Sequence, residues 1–421
     1  MENLRRIVAK AQRRSNRPLA VLANNGDANS YGVVANLGSE GVSVISVSSD
    51  PKNLTFRSRY AQGALCPDFA TQEDDFIDYL EELGRLISQK PVLFANGDEV
   101  SLTLLRHRER LQDYYHLPFA PYELARQLTE KNAFYSLLEQ HEIPHPRTWI
   151  TQSLAEIDQV AAEIAYPCII KPSQSQTFSR NFGNKCLRAD SVEQLLEIHG
   201  RVSASEPEVV VQEMLQGTER YLVYNYFSQD GEQKAISTYR KERIFPIDFG
   251  NATACRSIVD TDLESLVSDL LRTLNYRGLG EAEIQRDARD GQLKVVEVNI
   301  RSTTQSRLSA ACGVNMEYIA YQDMLGEPQE FVANRQEGVL WVDLYRDALA
   351  VLTSEGYRAK KGLRLTDWLS SLSGRRVFAI CSLRDPMPIF FHLFWILKIH
   401  ILTRLRPSRI RTLLLGSGAQ N

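Results

Sequence analysis

The pattern of apolar and polar positions is most regular between residues 280 and 301, where two alternating segments flank a turn at residues 287–291. The turn contains Asp290 followed by Gly291, and an Asp-Gly pair between alternating segments is a strong hairpin signal. We therefore expect two antiparallel strands in this stretch.

Three oxygen-bearing side chains are expected on one face of this hairpin. Successive side chains of a strand point to opposite faces, so Glu297 and Asn299 face one way while Val296 and Val298 face the other. If the register is nearly symmetric about the turn, Glu283 joins the polar face. The two carboxylates would repel each other unless a cation held them, and such oxygen ligands suit Mg²⁺ that is shared with a substrate phosphate. A solvated hairpin with ordinary surface acids is the alternative interpretation.

The first 125 residues alternate between apolar strands and helices. This alternation predicts an α/β domain with a parallel sheet. The segment Asn96–Glu99 follows the last of the predicted strands, and open α/β sheets place their ligands at the carboxyl ends of strands. The predicted elements are strands 19–23, 42–47 and 92–95, a helix through residues 33–37 and a helix over 74–87.

The middle of the chain predicts a mixed α+β domain. A helix over 129–138 is followed by the apolar strand 166–172, in which Lys171 is the only charge. A lysine in such a place is costly unless an anion meets it. Residues 209–219 then predict a buried strand, and residues 220–239 predict a second hairpin.

Two further segments of this domain predict loops. Residues 173–185 are polar and contain one glycine, and residues 239–256 are basic. We expect the basic loop to receive an anionic substrate, although a solvated face explains its charge equally well. Its cations are Arg240, Lys241, Arg243 and Arg256.

Composition and charge exclude few functions. The chain has 421 residues and a formal net charge of −3, which gives no general reason to expect nucleic acid as a partner. Its six cysteines are scattered without C-x-x-C spacing, so we interpret them as thiols of a cytoplasmic protein. No apolar segment follows the basic N-terminus, which argues against a secretory signal.

The order of these motifs over residues 18–330 resembles the ATP-grasp superfamily of carboxylate-amine and carboxylate-thiol ligases, and within it a branch related to D-aspartate ligases. The resemblance implies an ATP-grasp fold of two α+β subdomains behind the N-terminal α/β domain, with ATP and Mg²⁺, or Mn²⁺, as cofactors. By this resemblance, Lys131 and Lys171 contact the ATP phosphates. The implied adenine hinge is Gln212, Glu213, Met214 and Leu215, the implied ribose ligand is Glu219, and the implied metal ligands are Glu283, Glu297 and Asn299.

The resemblance also implies a cation at the transferred phosphoryl group. Glu281 stands where some members of the family have an arginine for this purpose. We therefore predict that Arg301 or Arg240 supplies the charge, and that Arg307 joins them in binding the anionic substrate.

The implied reaction joins a small carboxylate to an amine. ATP phosphorylates the carboxylate, and the amine, which we expect to belong to an amino acid, attacks the acylphosphate to give an amide, ADP and phosphate. One alternative is a carboxylase-like enzyme that activates bicarbonate, although no biotin-carrier segment is visible. A protein that binds ATP without turnover is the other alternative, and it is disfavoured by the intact acids and lysines. The motifs leave oligomeric state open.

Residues 386–421 differ from the rest of the chain because they contain five cations and no acid. The apolar run within them, residues 388–402, is about 15 residues long, short of the roughly 20 that a spanning helix needs. We predict an amphipathic helix that binds a partner or the inner face of a membrane, and the alternative is a helix docked on the protein's own core. The predicted domains are the N-terminal α/β domain 1–125, the ATP-grasp domain 126–330, an extension packed on it at 331–385 and the basic tail 386–421.

Overall fold

The computed structural model describes residues 2–172, 186–203, 208–247, 249–353 and 356–405. Within these residues the chain forms two four-stranded sheets and one eight-stranded sheet. The mixed α/β and α+β architecture predicted from the sequence is confirmed.

The N-terminal sheet is parallel, with strand order β3-β2-β1-β4. Its third strand was not predicted, because Gln62 and Gly63 interrupt the apolar pattern there. The strands are β1 Ala20–Asn24, β2 Val44–Ser48, β3 Ala61–Leu65 and β4 Val92–Asn96. The helices are α1 Glu2–Gln12, α2 Ala28–Ser39, α3 Glu73–Leu86, α4 Asp98–Arg106 and α5 Arg108–Leu111, and Leu54–Arg57 form a 3-10 helix.

The second sheet is antiparallel, with strand order β5-β8-β6-β7. Ile157, Ile170 and Val211 belong to a small core that is separate from the rest of the protein. The strands are β5 Thr148–Thr151, β6 Cys168–Pro172, β7 Leu187–Ala189 and β8 Val209–Glu213. The helices before and within this unit are α6 Tyr122–Thr129, α7 Lys131–Gln140, α8 Leu154–Glu163 and α9 Val192–Ser203.

The third sheet has the order β13-β12-β9-β10-β11-β15-β16, and β14 pairs with β10. The predicted basic loop 239–256 is wrong in part, since most of it lies in the antiparallel pair β10 and β11. The strands up to the second hairpin are β9 Arg220–Phe227, β10 Gln233–Phe245, β11 Asn251–Ile258, β12 Gly278–Arg286 and β13 Leu293–Asn299. The helices here are α10 Thr261–Thr273, α11 Ser306–Ala311 and α12 Met316–Met324.

The extension after residue 330 was predicted to pack on the preceding domain. In the structure it also adds strands to the third sheet. Arg243 on β10 is buried and forms an ion pair with Asp347 of the extension, Nε to Oδ1 at 2.8 Å. Trp368 donates its indole N–H to the same carboxylate at 2.8 Å. The added elements are β14 Val332–Ala333, β15 Leu340–Val342, β16 Arg376–Phe378, α13 Leu344–Leu352, α14 Tyr357–Lys361, α15 Leu365–Ser371 and α16 Met387–Leu405.

The N-terminal sheet and the third sheet share their cores. Val21 and Val298 lie in one apolar cluster, and Leu22, Tyr224 and Trp341 lie in another. Because packed cores resist deformation, the two sheets hold the side chains between them in fixed positions.

Candidate active site

A cavity of about 390 Å³ lies between the second and third sheets. Side chains from both of these sheets line it, together with Lys131 at the start of α7 and Asp98 at the start of α4, just after β4. The sequence-predicted residues that line it are Lys131, Lys171, Gln212, Glu213, Met214, Leu215, Glu283, Glu297, Asn299 and Arg301. The fold therefore brings together most of the predicted site.

The acidic face of the cavity is the hairpin of β12 and β13. Glu283 lies opposite Glu297, and Glu281 lies opposite Asn299, as the near-symmetric register required. A bulge follows, because Ile284 pairs with Val295. The bulge leaves Val296 unpaired and turns it into the cavity, so its predicted place on the apolar face is wrong.

Two lysines neutralise the facing carboxylates. Lys131, at the start of α7, forms an ion pair with Glu297, and Lys241 forms one with Glu283, Nζ to Oε1 at 2.6 Å. Burial alone would lower the pKa of Lys131, but the charge of Glu297 and its hydrogen bond, together with Tyr135 and Asp98, outweigh burial and raise the pKa. Lys131 therefore holds positive charge beside Glu297.

The oxygen donors of this face fit a magnesium ion that is shared with a nucleotide. Among the residues that the structure describes, no three His, Cys, Asp or Glu side chains group closely enough to hold a metal alone. Mg²⁺ does not need three such ligands from the protein, since it commonly binds one or two carboxylates and completes its coordination shell with phosphate and water. Glu283, Glu297 and Asn299 provide such a partial set.

Lys171 enters the cavity from the second sheet. Its Nζ lies 2.7 Å from Oε1 of Gln212, on the adjacent strand β8, and 3.4 Å from the hydroxyl of Tyr135. Both contacts are to neutral oxygens. The charge of Lys171 therefore stays available for an anion in the cavity.

Arg301 connects the acidic face to the N-terminal sheet. Its Nε lies 3.0 Å from Oδ1 of Asp98, the first residue of α4. Gly97, with φ of 130°, makes the turn from β4 into that helix, a conformation that other residues rarely adopt. Burial would lower the pKa of Arg301, but the carboxylates of Asp98 and Glu281 outweigh it and raise the pKa. The weak Asn96–Glu99 signal in the sequence thus contributes a residue to the cavity.

Glu281 is the most buried acid of the cavity, 5% exposed. Its carboxylate accepts hydrogen bonds from the hydroxyl of Thr303 and, at 3.5 Å, from the amide of Asn299. Burial raises the pKa of Glu281 to about 7, although Thr303, Lys241 and Arg301 act in the opposite direction.

The side chain of Glu213 is fully engaged inside the protein. It accepts from the backbone N–H of Arg147 at 2.9 Å and pairs with Arg289 at 2.7 Å and Lys294 at 3.4 Å. Asp287, which is buried, pairs with the same two cations. This cluster connects the end of β8 to the turn between β12 and β13, so any contact of Glu213 with a nucleotide would have to use its main chain.

Three predicted site residues lie outside the cavity lining. Arg307 is wrong as a substrate ligand, because its guanidinium donates to the carbonyls of Phe378, Ala379 and Cys381. Arg240 pairs with Glu242 at 2.8 Å, and Glu219 pairs with Arg286 at 3.1 Å. Neither reaches the cavity in this structure.

Lys241 replaces Arg240 as the basic side chain of β10 in the cavity. Adjacent residues of a strand point to opposite faces. Because residues 239–256 were predicted to form a loop, this alternation was not applied to Arg240 and Lys241. Once β10 is recognised as a strand that pairs with β9, the alternation places Lys241 on the cavity side. The predicted phosphate-covering loop, residues 173–185, lies outside the described residues.

Comparison with known proteins shows what the middle of the chain and its fold are similar to. Residues 130–329 match the family model described as carbamoyl-phosphate synthase L chain, ATP binding domain. The structure aligns with an ADP complex of N5-carboxyaminoimidazole ribonucleotide synthetase over 77% of this chain and 81% of that chain, with a TM-score of 0.62 and 13% identity. Both likenesses agree with the resemblance to the ATP-grasp superfamily seen in the sequence.

The chain is also similar to two ligases. D-aspartate ligase of Enterococcus faecium is 24% identical over 248 residues, which cover 56% of this chain and 59% of that protein. L-amino acid ligase from Bacillus licheniformis aligns over 75% of this chain and 76% of its own, with a TM-score of 0.57 and 16% identity. The match thus spans less than two thirds of the D-aspartate ligase.

Proposed function

We propose that this protein is an ATP-dependent ligase that activates a carboxylate as an acylphosphate and joins it to an amine. The observation that carries the proposal is the convergence of three lysines, two carboxylates and an arginine on one cavity. A free carboxylate does not condense with an amine in water, because the reaction is uphill and the oxygen is a poor leaving group. Transfer of the γ-phosphoryl group from ATP to a carboxylate oxygen supplies both the free energy and the leaving group.

We assign a separate role in this reaction to each charged residue of the cavity. Lys171 and Lys131 neutralise phosphate charge, and Lys131 can turn to a phosphate when its partner Glu297 binds metal. When bound, Mg²⁺ supplies charge neutralisation between adjacent phosphates. Arg301, held by Asp98, orients the carboxylate substrate beside the phosphoryl group, and Lys241 stabilises the transferring charge. These roles are proposals, as are the nucleotide contacts of Gln212, Met214, Leu215 and Glu219.

The amine completes the reaction. It attacks the carbonyl carbon of the acylphosphate, the C–O bond to phosphate breaks, and the amine loses a proton to give the amide. The similarity to D-aspartate ligase and L-amino acid ligase supports an amino acid as one of the two substrates.

A screen of substrate pairs tests the proposed function. The purified chain is incubated with Mg-ATP and pairs drawn from amino acids and small carboxylates, and ADP and amide are both quantified. We expect ADP to form only when an acid and an amine are present together, in equal amount with the amide. Formation of ADP with bicarbonate alone would instead favour carboxylase-like chemistry, and no formation with any pair would favour a nucleotide-binding protein without turnover.

Lys171→Ala is expected to weaken ATP binding by about 1.5 to 3 kcal/mol, the range for a hydrogen bond to a charged group. The reason is that Lys171 carries charge at the end of a buried strand and meets only neutral oxygens there. Isothermal calorimetry with Mg-ATP measures the change. Lys234→Ala is the matched control, since Lys234 is also largely buried but pairs with Glu232 at 2.6 Å away from the cavity. Equal affinities of the two variants would make Lys171 a structural residue.

A further inference from the structure

One face of α16 is apolar and exposed. Met387, Phe390, Leu393, Phe394 and Leu397 are each more than half exposed. Their spacing of three and four residues places them along one side of the helix. Soluble proteins rarely expose large side chains in such a continuous row unless the row binds something.

The opposite face fixes the helix to the N-terminal domain. Ile389 and Phe391 pack against the core that contains β1 and β2. Just before the helix, the buried Asp385 accepts hydrogen bonds from Ser58 Oγ at 2.5 Å and from the backbone N–H of Arg59 at 3.0 Å. The alternative prediction, that the helix docks on the protein's own core, therefore describes the face with Ile389 and Phe391. Docking does not explain why the opposite face is apolar and exposed.

Cations lie along one edge of the helix, beside two aromatic rings that flank the exposed row. The ammonium groups of Lys52 and Lys398 lie 4.9 and 4.7 Å from the ring of Trp395, and the guanidinium of Arg57 lies 4.8 Å from the ring of Phe391. The sequence after Lys398 adds four arginines and no acid up to residue 421. An apolar row with a cationic border complements the interface of an anionic bilayer, where acyl chains meet negative headgroups.

Other occupants of this face fit less well. A second copy of the chain would bring two cationic borders together, because a two-fold contact pairs a surface with itself. Residues 406–421 contain arginines and only a short apolar run at 413–415, which is too short to cover five large side chains. Of the helices that the structure describes, none has the length and apolarity to cross a membrane.

We propose that the exposed face of α16 binds the surface of an anionic lipid membrane, with the helix lying in the plane of the interface. The apolar row enters the acyl region, and the bordering cations contact the headgroups. The site cavity is formed by other elements, so this binding is independent of the proposed ligase activity.

Vesicle cosedimentation of the full chain tests the proposal. We expect binding to vesicles of phosphatidylcholine with phosphatidylserine to exceed binding to phosphatidylcholine alone by about tenfold or more, and to weaken with salt. Leu393→Ser with Leu397→Ser is expected to reduce the binding by about tenfold. The control is Leu365→Ser with Leu369→Ser, an exposed leucine pair with the same spacing on α15, which should bind as the wild type does.

Four results would overturn the proposal. Equal and negligible pelleting with both vesicle types would remove the membrane as a partner, and unchanged binding by the Leu393 and Leu397 variant would assign it to charge alone. A dimer in sedimentation velocity that this variant converts to a monomer, without lipid binding, would make the face a self-association surface. Binding that appears only after deletion of residues 406–421 would show that the protein's own tail covers the face.

Discussion

Glu297→Gln is expected to reduce ADP formation by at least about a hundredfold while the chain remains folded. Glutamine keeps the shape of the side chain and removes its charge. Glu297 faces Glu283 across the hairpin and pairs with Lys131, so the substitution removes a proposed metal ligand and leaves a buried lysine without its carboxylate. Turnover is measured with the acid and amine that the substrate screen identifies, and thermal unfolding reports on the fold.

The control for this variant is Glu232→Gln. Glu232 also pairs with a lysine, but its side chain is 70% exposed on a distant hairpin. The Glu232→Gln variant should retain the turnover of the wild type. Wild-type turnover by the Glu297 variant would remove Glu297 from the metal site, whereas loss of turnover together with loss of the folded state would make its role structural.

Asp287→Ala is expected to destabilise the protein by about 3 kcal/mol, because it leaves Lys294 buried without its shortest ion pair. Asp287 has no exposed side-chain surface and lies 2.8 Å from the Nζ of Lys294. Urea unfolding measures the change. Asp290→Ala is the control, since Asp290 lies in the same turn and pairs with the same lysine at 3.2 Å but is 41% exposed, so it should cost less than about 1 kcal/mol. Equal losses in the two variants would contradict the account of this cluster.

We also expect Asp287 to make the protein less stable in acid. Hydrogen bonds from Arg289 and Lys294 hold the pKa of Asp287 below its usual range. A carboxyl whose pKa is depressed by folding stabilises the native state above its unfolded pKa, about 4, and this contribution decreases as the pH falls toward the folded pKa. The free energy of unfolding of the wild type should therefore decrease more than that of Asp287→Ala between pH 5 and pH 3, estimated from the unfolded pKa of about 4. Parallel decreases would exclude a depressed pKa at this position.

The sequence predicted those parts of the fold that local patterns determine. The alternation of strands and helices predicted the parallel N-terminal sheet, and the Asp-Gly turn predicted the pairing of Glu283 with Glu297. The apolar residues around Lys171 predicted a strand that carries one lysine, and in the structure that lysine lines the cavity. Each of these signals lies within a few consecutive residues.

The remaining features depend on contacts between distant residues. The position of Val296 depends on a bulge that no turn signal indicates, and the side of β10 that faces the cavity depends on its pairing with β9. Arg307 was predicted as a substrate ligand from its type and position alone. Only the fold brings the carbonyls of the extension to its guanidinium, 71 residues away in the sequence at Phe378.

Transfer of oxygen from the carboxylate substrate to phosphate tests the central proposal most directly. The reaction is run with the carboxylate labelled with ¹⁸O at both oxygens, together with Mg-ATP and the amine, and the inorganic phosphate is examined by mass spectrometry. An acylphosphate intermediate predicts one labelled oxygen in each phosphate released, with the other label retained in the amide. Amide formation that leaves the phosphate unlabelled would contradict it.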